Sequence, residues 1–96
     1  MIPKFEYDIA KSLNTFARRG YDFEFAKGVW RDAYMRRLPA KTKDNQVRWA
    51  YTGTIGKKVY MVVVQELSSD LFRIIAVYEA EGAFLRDYIQ HRGVLQ

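Results

Sequence analysis

The sequence predicts an α+β domain spanning residues 1–96, with helices near its start, an antiparallel meander in its middle and a helix at its end. Three observations lead there. Apolar residues recur three and four apart in the first third, the period changes to two after residue 46, and helical spacing returns from Ala80. With 96 residues there is room for one core, and 49% hydrophobic residues suffice to fill it.

Each element has its own signal. Residues 5–7 (Phe-Glu-Tyr) read as a short strand. Asp8 can cap a first helix, because its carboxylate can accept bonds from the free N–H groups of the first turn. Ile9, Leu13 and Phe16 then form one apolar stripe, expected to face the core. Arg18 and Arg19 suit the carbonyl end of that helix, and Gly20 suits a left-handed cap. Asp22 can cap a second helix carrying Phe23, Ala26 and Trp30 on one face and ending near Arg31 or Asp32. Residues 33–38 read as a weaker strand closed by Pro39, and residues 40–46 as a flexible polar loop.

Beyond the loop, Val47, Trp49 and Tyr51 alternate with Arg48, Ala50 and Thr52, the pattern of a half-buried strand. A turn at 55–58 leads into residues 58–66, β-branched and apolar on both faces, hence a central strand. Ser68-Ser69-Asp70 turns the chain into a further strand at 71–78. Ala80, Phe84 and Tyr88 mark a last helix that should stop around Gly93.

Composition narrows the setting. Cysteine is absent, which suits a reducing cytoplasm. The opening Met1-Ile2-Pro3-Lys4 has no apolar signal-peptide core, and the longest apolar run, 59–64, is too short to cross a bilayer. The net charge of +5 is unevenly spread: residues 1–60 hold 13 Lys/Arg against 6 Asp/Glu, and residues 61–96 hold 3 against 5. A basic front of this kind attracts nucleic acid or an acidic protein surface.

Several short stretches, taken in order, resemble the BrnT toxins. Phe5-Glu6-Tyr7-Asp8 followed by Ala10-Lys11 is similar to that family's F-E-W-D-x-A-K opening. Arg18-Arg19-Gly20 and Phe23-Glu24 stand where the family has a lysine-histidine-glycine and the phenylalanine that starts its second helix. Arg48-Trp49 with Thr54-Ile55-Gly56 resembles its E-R-W/Y-x-x-I-G strand and turn. Val62-Val63-Val64 resembles its central strand, and Arg73-Ile74-Ile75 the start of its R-I-I-S-A-R. The resemblance implies a RelE-like fold: a short N-terminal strand, two helices, an antiparallel meander of three to four strands and a C-terminal helix. It also implies RNA cleavage, and a ribbon-helix-helix antitoxin as partner.

A metal-free ribonuclease must activate a 2′-oxygen, stabilise charge at phosphorus and protonate the leaving 5′-oxygen. With His91 as the single histidine, two-histidine chemistry is impossible within one chain; His91 itself reads as an exposed residue at a helix end. No His, Cys and carboxylate cluster suggests a metal, and no cofactor is expected. Arg48 matches the arginine of the family's E-R-W/Y element and is the first candidate for phosphate binding, against a solvated arginine on a strand's polar face. Arg18 and Arg19 are candidates beside it, although both could simply complement a helix end. Lys57, Lys58 and Arg73 complete the cations that could hold phosphates.

The chain departs from the family at the last strand. Ala76 and Tyr78 stand in place of the serine and arginine after R-I-I, and Glu79 in place of the lysine that follows. The last helix carries Glu81, Gly82 and Phe84 where basic residues are usual. Tyr78 could act as an acid or base through its phenol, or simply pack where strand meets helix. Trp30, Tyr34, Trp49, Tyr51 and Tyr60 could stack bases, although most must be core. Three readings stand: a toxin cleaving RNA with a rearranged site, a non-catalytic phage or mobile-element binder of nucleic acid or an acidic protein, and a degenerate toxin that only pairs with its antitoxin.

Overall fold

Asp8 and Gly20 bound the first helix as their chemistry requires. The Asp8 carboxylate accepts from the Lys11 N–H at 3.1 Å, and Gly20, at φ 84°, donates its own N–H to the Phe16 carbonyl at 2.9 Å. In the computed structural model, which describes residues 2–95 and so leaves Met1 of the opening segment outside, this helix is α1 (Ile9–Arg19). It is preceded by β1 (Lys4–Glu6) and followed by α2 (Phe23–Ala26), a 3₁₀ turn (Lys27–Arg31), β2 (Arg36–Lys43), β3 (Gln46–Ile55), β4 (Lys58–Glu66), β5 (Leu71–Glu79) and α3 (Gly82–Leu95).

The strands form one mixed sheet in the order β1-β5-β4-β3-β2, with β4 at its centre, as its doubly apolar pattern predicts. β2 to β5 pair antiparallel, while β1 pairs parallel to β5. One face of the sheet receives α2 and the 3₁₀ turn. There Phe23, Val29 and Trp30 pack with Tyr51, Val62, Phe72, Ile74 and Val77, all buried. Trp30 meets Phe5 edge-on at 4.7 Å and Tyr51 at 4.9 Å between ring centroids, geometries that aromatic quadrupoles favour.

A register shift on β5 decides what faces the other way. Val63 pairs with Ala76 but Val64 pairs with Ile74, so Ile75 is an extra, bulged residue. Ile74 and Val77 thus both reach the core, and Ala76 and Tyr78 turn to the opposite face, across from Val63 and Met61.

The structure corrects several expectations. The Ile9, Leu13 and Phe16 stripe faces solvent at 71%, 66% and 55% exposure, and α1 buries Ser12 and Thr15 instead. These short polar side chains let the helix approach closely: the Ser12 hydroxyl accepts the free Phe23 N–H at 3.0 Å, and the Thr15 hydroxyl donates to the Lys11 carbonyl at 2.9 Å. The second helix is α-helical only over Phe23–Ala26, then tightens to 3₁₀ where a Cβ on Gly28 would lie 3.2 Å from Ile55.

Strand β2 starts at Arg36, runs through Pro39 and absorbs most of the expected loop. Proline is tolerated because β2 is an edge strand, and the chain reverses at Asp44 and Asn45, both at positive φ. Strand β3 is buried on both faces around residues 50–53, not half-buried, because α3 covers its second face. Finally, α3 passes through Gly93 to Leu95.

Candidate nucleic-acid site

Strand β1 accompanies β5 only through Leu71, Phe72 and Arg73, and α1 lies beside the rest of that edge. Between them is a cleft of about 360 Å³, lined by Lys11, Asn14, Thr15, Arg18 and Arg19 of α1 and by Ile75, Ala76 and Tyr78 of β5. Because Ser12 anchors α1 onto α2, the cations of the helix's flank are held along this cleft. The Arg19 guanidinium sits 4.8 Å from the centre of the Tyr78 ring, a cation–π contact that orients both groups.

Tyr78 also lines two adjoining clefts. One, of about 480 Å³, adds Tyr21, Met61, Glu79 and Glu81 to Arg19. The other, of about 330 Å³, is formed by Ala40, Lys41, Arg48, Met61, Val63 and Phe84. The phenol therefore stands between Arg18 and Arg19 on one side and Arg48 on the other. Arg48 is half-buried, not solvated as a polar-face arginine would be, and its Nε is buried without a hydrogen-bond partner among the described residues. A buried donor left unmade costs about 1–3 kcal/mol, which an acceptor arriving in the cleft would offset.

Helix α3 forms the far wall of the third cleft and is fixed by polar contacts. The Tyr88 hydroxyl donates to Asp32, which also accepts from the Thr54 N–H at 2.7 Å, the Thr54 hydroxyl at 2.9 Å and the Tyr34 N–H at 2.8 Å. Burial pushes the Asp32 carboxyl up, but the bonds from Thr54, Tyr88 and Tyr34 together outweigh it and hold the carboxyl below its ordinary range. Burial, then the bond to Asp32, raises the Tyr88 phenol. At the residue just before Tyr88, Arg36 grips Asp87 with two bonds of 3.0 and 3.2 Å.

The remaining candidates lie elsewhere. Lys57 and Lys58 are exposed at the β3–β4 turn, with Lys58 3.5 Å from Glu79, and neither lines the three clefts. Arg73 bonds Glu6 at 2.6 Å and ties β1 to β5. His91 is half-buried beside Arg36 and Asp87, not exposed as expected of a helix end. Among the described residues no three His, Cys, Asp or Glu gather as a metal site, and no helix is long and apolar enough to cross a membrane.

The aromatics considered for stacking bases have other neighbours. Trp30 and Tyr60 are in the core, Arg37 covers Trp49 at 3.4 Å, and Arg92 lies 5.1 Å from the Tyr34 ring. The Tyr51 phenol is pushed up to about 12 by burial and by its 2.5 Å bond to Glu66. Tyr21, Tyr78 and Phe84 are the aromatic rings that line the second and third clefts. Sequence reasoning missed Lys11, Asn14 and Lys41. The first two were within reach, because residues 11, 14, 15 and 18 share one helix face.

Comparison with known proteins bears on the family and the fold. Residues 7–83 match the family model described as the ribonuclease toxin BrnT of type II toxin–antitoxin systems. The fold is similar to that of a crystal structure of the Brucella abortus ribonuclease toxin BrnT, with a TM-score of 0.58 and 19% identity over 83% of this chain and 99% of that one. No curated protein matches the chain. Since the family match spans most of its length, from just after β1 to the start of α3, the chain belongs to the BrnT family of ribonuclease toxins of type II toxin–antitoxin systems.

Proposed function

We propose that this chain is a cytoplasmic toxin that cleaves RNA without a metal ion, using a site rearranged around Tyr78. The observation that carries the reading is the placement of Tyr78 between the α1 cations and the buried, unpartnered Nε of Arg48. RNA lying across the clefts would bring its backbone against Lys11, Arg18 and Arg19, with Arg48 donating to a phosphate oxygen. The 2′-oxygen attacks the adjacent phosphorus as water takes its proton. A 2′,3′-cyclic phosphate forms, the bond to the 5′-oxygen breaks, and that oxygen takes the Tyr78 phenolic proton. Arginine donors aimed at the developing charge supply the main stabilisation.

A second reading has its own support. Ala76 lacks the hydroxyl and Tyr78 the guanidinium of the family pattern, and Glu79 and Glu81 line the middle cleft and oppose phosphate there. That arrangement suits a binder that grips nucleic acid, or an acidic protein, without cutting.

End-labelled RNA incubated with the protein in EDTA, with cleavage and retardation read from the same samples, separates the two. Cleavage that Arg48→Ala abolishes supports the nuclease. Retardation of intact RNA supports the binder, and neither result leaves an acidic protein as the partner.

A further inference from the structure

The third cleft differs in kind from the first. It is lined by Met61 and Val63 of β4 and by the rings of Tyr78 and Phe84, with Lys41 and Arg48 as the charged groups of its lining. Met61, Val63 and Phe84 are only half-buried, so apolar surface stays open inside a cleft of about 330 Å³. Concave sites of this size, apolar with a few convergent polar groups, are where small ligands bind. In a protein that meets RNA the flat group at hand is a base, and bases stack on aromatic side chains with little regard to sequence.

The polar groups of the cleft choose among the bases. Its lining carries two cations and no carboxylate or side-chain amide. Lys41 is exposed, and among the described residues it pairs with no carboxylate. An ammonium group can only donate, so it favours a base edge built of acceptors. Guanine presents O6 and N7 side by side. Adenine and cytosine put an amino donor on the same edge, and uracil offers O4 alone.

We propose that the third cleft is a nucleobase subsite selective for guanine, in which the base stacks against Phe84 and Lys41 donates to its O6 and N7. Arg48 keeps the role given to it above and holds the neighbouring phosphate. The subsite rests on the RNA reading and adds a sequence preference to it. Because Arg48 and Tyr78 line the same cleft, the phosphate that is cut lies next to the bound guanosine. Lys41 is then the residue that sets specificity, and the α1 cations of the first cleft hold the backbone without reading it.

The test reads binding by fluorescence anisotropy in EDTA. The probes are end-labelled, 2′-O-methylated oligoadenylates with A, G, C or U at the centre, so that no cleavage intervenes. Wild type should bind the guanine probe roughly tenfold more tightly than the other three. A central 7-deazaguanine, which lacks N7, should remove part of that preference. Lys41→Met keeps an apolar stem at an exposed position; it should bind all the probes equally and ignore the deaza substitution. Phe84→Leu should weaken binding to every probe, since stacking is lost whatever the base. Equal binding of the four probes by wild type, or a guanine preference that Lys41→Met retains, overturns the subsite while RNA binding stands. No binding to any probe or to unmodified RNA overturns the RNA reading, and the subsite with it. A guanine preference in binding with unmodified RNA left uncut sinks the nuclease reading and upholds the subsite.

Discussion

Arg48 and Tyr78 hold opposite positions in the same cleft, and their chemistry separates cleanly by substitution. If Arg48 donates to a phosphate, Arg48→Ala should weaken RNA binding and lower the slope of log affinity against log salt by about 1, as filter binding across a salt series would show. An unchanged slope removes Arg48 from the backbone contacts. At the last strand, Ala76→Ser combined with Tyr78→Arg restores the hydroxyl and the guanidinium of the family pattern, and RNA cleavage should rise. No gain would mean that the present Tyr78 site is not a weakened form of the family's. Both residues were legible in the sequence, because family spacing led to each. Lys41 was not, since it falls in a segment whose polar composition reads as a loop, although pairing with β3 makes it strand.

At the scale of elements, periodicity located α1 and misjudged its orientation. The hydrophobic period of a helix says which residues share a face but not which face a neighbour will cover. Here Ser12 decided the matter by accepting the free N–H at the start of α2, an interaction outside any apolar pattern. The hairpins β3–β4 and β4–β5 were readable because Gly56 and Ser68-Ser69-Asp70 punctuate strands rich in β-branched residues. The attachment of α3 was not, since it depends on Asp32, Thr54 and Tyr88, which are far apart in sequence. Tyr88→Phe removes one donor from the half-buried Asp32 carboxylate and should cost about 1–3 kcal/mol of stability in urea unfolding. It should also weaken RNA binding if Phe84 on the same helix contacts the ligand.

For the whole molecule, the paired carboxylates set the response to acid. Asp32, Glu66 and Asp87 all have depressed pKa values: Asp32 through its hydrogen bonds against burial, Glu66 chiefly through Arg37, and Asp87 chiefly through Arg36. A depressed folded-state pKa contributes stability that is complete above the unfolded value, about 3.9 for Asp and 4.3 for Glu, and is lost as pH falls through the folded value. Melting temperature should therefore hold from neutrality to near pH 5 and fall steeply below pH 4. The fall should be shallower in Asp32→Asn, which has no carboxyl to protonate there. A profile equally steep in both proteins would assign the acid response to the other pairs.

Pro39 has a bearing on how this chain behaves when it is plentiful. A sheet presents two borders to its surroundings, and a long regular border is a template on which further strands add until the protein aggregates. One border of this sheet is β1, only three residues long, and the other is β2, which a proline interrupts and a register shift after Ala40 distorts. Neither offers a long, evenly spaced row of donors and acceptors. Growth from strand to strand is thereby frustrated at both ends, so addition of further strands is disfavoured when the chain is abundant.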